Sequence, residues 1–309
     1  MVDRRSSSPP LSPVVVFAYK RRDHLETTIA SLLCNPEAPS TDLHVYCDAA
    51  RTAVDQPAVD GVRNFVSDLK GFASITRVFR ESNMGLAGSI IDGVTRLLAQ
   101  HDRVIVIEDD LLLSAHFLRY MNDALQAYAA DEQVASIHGY CYPTTDPLPE
   151  TFFLLGADCW GWATWRRAWA QFNPDGALLL KELRQRKLTH RFDFDGTYPY
   201  TRMLKNQVLG KNSSWAIRWH ASCYLAGRMT LYPGRSLVHN IGNDSSGTHS
   251  GTTARFDQIA SHRPVKVERL PLLESTVGRA AFVKFFGTQR ESPMQRLARH
   301  LRRLWKQPS

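Results

Sequence analysis

Several absences narrow the reading of this 309-residue chain before any motif is considered. There is no uninterrupted apolar run of about 18 residues, so no membrane-crossing helix is expected. The opening stretch, Met1 to Pro10, carries basic residues but no apolar core behind them. It does not read as a secretory leader, and residues 1–12 are expected to be a disordered lead-in. Cysteine is sparse: Cys34, Cys47, Cys141, Cys159 and Cys223 are odd in number, scattered, and never two residues apart in a C-x-x-C pair. A disulfide framework and a zinc ribbon are both disfavoured, and a reducing, cytoplasmic compartment fits. Net positive charge is scarce outside one segment. Between Arg279 and Lys306 there are eight Lys/Arg against the single acid Glu291, so nearly all of the net charge of +8 sits there. The rest is close to neutral, which argues against a nucleic-acid-binding domain.

What is present is a rhythm of strands and helices. Val14-Val15-Val16-Phe17-Ala18 reads as a buried strand, and Leu25, Ile29 and Leu32 mark one face of a helix over about 23–33. Leu43 to Asp48 is a second strand, and Val59, Val62, Phe65, Val66 and Leu69 give a second helix. A third strand, Ser74 to Phe79, precedes a helix over about 86–99, and Val104-Ile105-Val106-Ile107 is a fourth strand. Ser114 is placed to cap a helix carrying Phe117, Tyr120, Met121, Ala124, Leu125 and Tyr128, and a strand follows at 134–137. Strands alternating with helices predict an α/β domain with a mostly parallel central sheet flanked by helices.

The chemistry-bearing residues follow the strands. The fourth strand runs straight into Glu108-Asp109-Asp110. Three adjacent carboxylates repel one another unless neutralised, and hard oxygen ligands suit Mg²⁺ or Mn²⁺. In open α/β sheets ligands sit beyond the carboxyl ends of the strands, where these acids lie. After the first strand come Ala18, Tyr19, Lys20, Arg21 and Arg22, able to meet a base and a phosphate. After the second comes Asp48, an acceptor for a base imide or a ribose hydroxyl. After the third comes Asn83-Met84-Gly85-Leu86-Ala87-Gly88, where glycines permit close backbone approach at a helix start. Trp160, Trp162, Trp165 and Trp169, beside Gly161, suit either core packing or stacking on a sugar face.

This ordered set resembles the glycosyltransferases of the GT-A fold, a Rossmann-like architecture. The likeness is to bacterial family-2-like enzymes and also to N-acetylglucosaminyltransferase I. Besides the elements above it rests on the segment Gly161 to Trp169, on Gly227 to Pro233, and on Val238-His239. It covers roughly residues 13–249. The resemblance implies a nucleotide-sugar donor, UDP-linked or related, with a divalent metal on its diphosphate. Asp110 would be the direct metal ligand and His239 a further one. Asp109 and Glu108 would hold the ribose, the sugar or metal-bound waters, and Trp160, Gly161 and Trp162 would meet the acceptor. It also implies inversion, which needs a carboxylate base. The acidic pair that family-2 relatives carry upstream of the glycine matched by Gly227 is absent, since that stretch reads Ser213-Ser214-Trp215-Ala216-Ile217-Arg218. The base is therefore sought first at Asp195 and Asp193, then at Asp158 and Asp244.

The expected organisation is a GT-A domain over 13–260, with a nucleotide-sugar half (13–137) and an acceptor half (138–260), then a C-terminal extension over 261–309. That extension ends in a basic amphipathic helix with Leu297, Leu301, Leu304 and Trp305 on one face and Phe282, Val283, Phe285 and Phe286 upstream. Such a helix suits an anionic membrane surface, and equally a helix packed on the domain. The expected activity is sugar transfer to a glycan or lipid-linked hydroxyl in bacterial surface polysaccharide or lipopolysaccharide synthesis, at the inner face of the cytoplasmic membrane. Two alternatives stand beside it. One is a sugar-nucleotide nucleotidyltransferase, disfavoured because Tyr19-Lys20-Arg21-Arg22-Asp23 lacks the glycine-rich loop that chemistry uses. The other is a sugar-binding module that kept the fold and lost catalysis.

Overall fold

The computed structural model describes residues 10–242 and 255–289. The lead-in before residue 10, Asp244 with its Gly/Ser-rich loop, and the basic segment 290–306 lie outside the described residues.

The elements run in the order β1 (Val14–Ala18), α1 (Arg22–Leu33), β2 (Asp42–Cys47), α2 (Gln56–Ser67), β3 (Ser74–Phe79), α3 (Gly85–Gln100), β4 (Arg103–Glu108), β5 (Leu111–Leu113) and α4 (Phe117–Ala127). The chain continues through β6 (Val134–His138), β7 (Thr151–Leu155), β8 (Trp162–Trp165), α5 (Arg166–Trp169), α6 (Gly176–Gln185), α7 (Thr189–Phe192) and α8 (Tyr200–Val208). It closes with α9 (Trp215–Leu225), β9 (Met229–Pro233), β10 (Val238–Asn240) and α10 (Thr276–Thr288). Eight strands form one sheet in the order β3-β2-β1-β4-β8-β6-β9-β7. Pairings β2–β3, β1–β2, β1–β4 and β6–β9 are parallel, and only β8 and β7 run against the rest. The expected α/β architecture with a mostly parallel, helix-flanked sheet is therefore the observed one. Its inner strands are covered on both faces, which is why β1 and β4 are continuous β-branched runs rather than alternating ones.

The helix after β5 starts differently from the expectation. His116, not Ser114, occupies the capping position of α4, and it makes no side-chain cap. The Ser114 hydroxyl instead donates to the Ser261 carbonyl at 2.6 Å and accepts the His116 N–H. Ser114 ties the later chain to this corner, a demand that local capping preference does not register.

The strand order places a topological switch point. From β1 the chain goes to one side of the sheet for β2 and β3, then to the other side for β4. The helices therefore leave a crevice beyond the carboxyl ends of β1 and β4, where open α/β sheets bind ligands. A two-stranded antiparallel ribbon, β5 with β10, covers one flank of that crevice, with His239 opposite Leu112 and Asn240 opposite Leu111. At the far edge α10 docks through its phenylalanines. Phe282 and Phe286 are buried among Tyr142, Phe152, Tyr198 and Tyr232. The apolar residues at 282–286 are thus core, while the basic run after them lies outside the described residues. No helix among the described residues is long and apolar enough to cross a membrane.

Candidate functional site

The switch-point crevice gathers the acids and one arginine. Register pairs Phe17 of β1 with Glu108 of β4, so the residues after each strand lie side by side. The Arg21 Nη2 group, at the end of the β1 loop, donates to Asp109 Oδ1 and, at 2.8 Å, to Asp110 Oδ2. The acid turn is anchored from behind by α1. The Thr28 hydroxyl donates to the Asp109 carbonyl at 2.8 Å and accepts the Leu111 N–H at 3.2 Å. From the other flank the Ile241 N–H donates to the Asp110 carbonyl at 2.9 Å. Gly242 follows, and a Cβ there would stand 2.1 Å from Asp110 Oδ2, so only glycine lets the chain pass so close.

Electrostatics show what the site wants. Burial, reinforced by Asp110 and Asp109, pushes the Glu108 carboxyl up to about 8. Burial also pushes Asp109 up to about 6, against the pull of Arg21. Arg21 is held above its ordinary value; burial pulls it down, but Asp109 and Asp110 outweigh that. One guanidinium faces three carboxylates, and the deficit of positive charge is what a bound cation would fill. The donor set is hard oxygen, matching Mg²⁺ or Mn²⁺ in chemistry and in charge. His239 joins from β10 with its partner Leu112 on the face of the ribbon opposite buried Leu111 and Leu113. Among the described residues no group of three or more His, Cys, Asp or Glu side chains is arranged to hold a metal ion. Arg21 occupies the space between the two aspartates instead.

The other donor-side residues knit the crevice floor. Tyr19 OH donates to Asp55 and accepts the Arg51 N–H, each at 3.0 Å. Ala18 is buried at the end of β1 and accepts the Asp48 N–H. Asp48 departs from the expectation of a ligand acceptor: its carboxylate takes the N–H groups of Ala49, Met84 and Gly85, all at 2.9 Å. Backbone donors at the start of α3 have no helical partner, and a buried carboxylate nearby satisfies them first. Asn83 donates to the Ala49 carbonyl at 2.7 Å. The loops after β1, β2 and β3 are thus joined to one another before any ligand arrives.

On the acceptor side the aromatic expectations divide. Trp162 is 0% exposed and packed against Trp169, Trp215 and Trp219, so it has no ring face to offer a sugar. Gly161 serves packing as well: a Cβ there would meet Val238 Cγ2 at 2.9 Å. Trp160 remains partly exposed, edge-on to Tyr140 and Phe256.

The four base candidates also separate. Asp195 is exposed and held by Arg279 at 2.7 Å. Asp193 is half-buried and accepts the Thr201 N–H at 2.6 Å. Asp158 sits in a cradle of hydroxyls that local sequence spacing could not reveal. Tyr142 OH and Tyr232 OH reach its Oδ2 at 3.0 and 3.1 Å, and Tyr200 OH reaches Oδ1 at 3.4 Å. Burial raises its pKa, and the three hydroxyls pull it back in part. The neighbouring Cys159 thiol is pushed up by burial first, and then by the charges of Glu108, Asp158 and Asp110. All five cysteines are unpaired thiols.

No family model matches the chain, and no curated protein matches it. Solved structures do. The mannosyltransferase PcManGT from Pyrobaculum calidifontis, in complex with GDP-Man and Mn²⁺, is 16% identical over 43% of this chain and 38% of its own, with TM-score 0.28. TarS of S. aureus is 12% identical over 75% of this chain and 37% of its own, with TM-score 0.40. The 4-diphosphocytidyl-2C-methyl-D-erythritol synthase of Anaerococcus prevotii DSM 20548 is 11% identical over 52% of this chain and 73% of its own, with TM-score 0.34. The chain spans less than two fifths of the length of the first two. At such identities these likenesses say nothing of activity.

Proposed function

We propose that this chain is a metal-dependent GT-A glycosyltransferase. It would move a sugar, with inversion, from a nucleotide-sugar donor of UDP or related type to a hydroxyl of a glycan or lipid-linked acceptor. The observation that carries the reading is the switch-point crevice in which Arg21 faces Glu108, Asp109 and Asp110. A divalent cation held by Asp110, with Asp109 and Glu108 toward the ribose, the sugar or metal-bound waters, would stabilise the negative charge growing on the departing diphosphate. Residues 13–137 would hold the donor, with Tyr19 and Asn83 at the crevice floor, and residues 138–260 would hold the acceptor, with Trp160 at its edge. His239, on β10 at the flank of the crevice, would be a further ligand.

Asp158 is the favoured base, ahead of Asp195 and Asp193. A carboxylate oxygen of Asp158 takes the acceptor O–H proton. The acceptor oxygen bonds to the anomeric carbon as the bond from that carbon to the diphosphate oxygen breaks. Its buried cradle of three tyrosine hydroxyls and its raised pKa support this order, whereas Asp195 is exposed and committed to Arg279. The reading extends to bacterial surface polysaccharide or lipopolysaccharide synthesis at the inner membrane face, with the basic run after residue 289 as its support. The test is thermal shift with nucleoside diphosphates and nucleotide sugars, each with Mn²⁺ and with EDTA. A Mn²⁺-dependent rise with one nucleotide class is expected. No rise with any of them contradicts the transferase reading and favours a binding module that has lost catalysis.

A further inference from the structure

Arg21 is more than a donor contact. Its Nη2 group bridges Asp109 and Asp110, the second of which is the direct metal ligand of the transferase reading. Its Nη1 group is buried and has no hydrogen-bond partner. A cation that binds Asp110 must compete with Arg21 for its carboxylate. The guanidinium would then be left below the surface with little to replace that acceptor, a costly state. A diphosphate arriving in the crevice changes the balance. It offers phosphate oxygens to a planar guanidinium that pairs with them in bidentate fashion, and it adds negative charge for the incoming cation.

We infer that Arg21 is an internal counter-cation that closes the metal site until a nucleoside diphosphate group takes its guanidinium. Metal and nucleotide then bind with strong positive coupling instead of independently. This rests on the transferase reading above and adds an order to it. By linkage the coupling is reciprocal: Mn²⁺ strengthens nucleotide binding by the same factor that nucleotide strengthens Mn²⁺ binding. A factor of roughly tenfold or more is expected.

The test uses the full chain and reads binding, not turnover. Electron paramagnetic resonance of unbound Mn²⁺ gives the affinity for the metal alone, in wild type and in Arg21→Gln. Calorimetry gives the affinity for UDP with Mn²⁺ and with EDTA. The variant should bind Mn²⁺ alone about tenfold more tightly than wild type and should lose most of the Mn²⁺ effect on UDP. Arg21→Lys, which keeps the charge but not the fork that spans two carboxylates, should fall between and serves if the glutamine variant does not fold. Equal Mn²⁺ affinity in wild type and variant overturns the inference and leaves the transferase reading standing. Equal UDP affinity with Mn²⁺ and with EDTA in wild type overturns it without any variant. Binding of neither Mn²⁺ nor UDP by any form overturns both.

Discussion

Two buried carboxylate sites of this chain are neutralised in opposite ways. At the ends of β1 and β4, three acids share one guanidinium, and the Glu108 and Asp109 carboxyls are raised because burial and the neighbouring acids are only partly answered by Arg21. At Asp158 a single carboxylate is met by three neutral hydroxyls from Tyr142, Tyr200 and Tyr232. The first site is short of positive charge and would be completed by the proposed cation. The second is complete in hydrogen bonds and is suited to hold, or accept, one proton. A transferase needs both kinds: a place where leaving-group charge is absorbed and a place where an acceptor proton goes.

The sharpest way to break this contrast is to remove one member of each site. Asp110→Ala should abolish the Mn²⁺-dependent thermal shift with nucleotide and lower turnover by about a thousandfold or more. Asp158→Asn should lower turnover by about a hundredfold or more while nucleotide affinity, read by calorimetry, stays near wild type. If Asp195→Asn loses turnover and Asp158→Asn does not, the base is misassigned and the contrast falls.

Two smaller changes sharpen it. Gly242→Ala puts a methyl against Asp110 Oδ2, so Mn²⁺ affinity measured with saturating nucleotide should fall about tenfold, with only a small change in melting temperature. On the aromatic side, His138 packs on Tyr232 and Tyr140, and burial lowers its pKa to about 3. Its folded pKa is below the unfolded value, so its contribution to stability is whole above about pH 6.5 and is lost as pH falls toward 3, at up to about 1.4 kcal/mol per pH unit. Glu108 acts oppositely: its folded pKa is raised, so stability is lost as pH rises from its ordinary range toward about 8. The stability of wild type minus that of His138→Gln, read by chemical denaturation from pH 4 to 6.5, should therefore rise with pH, since the Glu108 contribution is common to both and cancels. A difference that stays flat with pH would mean His138 titrates normally.

The charged site was largely legible in the sequence, and the aromatic one was not. Val14 to Ala18 and Val104 to Ile107 announce buried parallel strands because sheets covered on both faces need unbroken β-branched runs. The residues just past such strands are then placed by topology alone, which is how Arg21 and Glu108 to Asp110 could be named together. Asp158 could be named as an acid but not distinguished from Asp193 or Asp195. The hydroxyls that distinguish it come from residues 142, 200 and 232, which no local spacing connects. Trp162 misleads for a related reason. A tryptophan next to a glycine near a strand end looks the same in sequence whether it faces a sugar or, as here, three other tryptophans across an inserted antiparallel strand. Asp48 was readable as a strand-end acid, but not as one already committed to the N–H groups opening α3.

The most direct test of the central claim is a crystal structure of the chain grown with UDP and Mn²⁺, with anomalous scattering collected for manganese. The account predicts a manganese peak between Asp110 and the diphosphate, beyond the ends of β1 and β4, with Arg21 turned from the aspartates to a phosphate oxygen. Nucleotide bound there with no manganese peak and Arg21 still bridging Asp109 and Asp110 would contradict it.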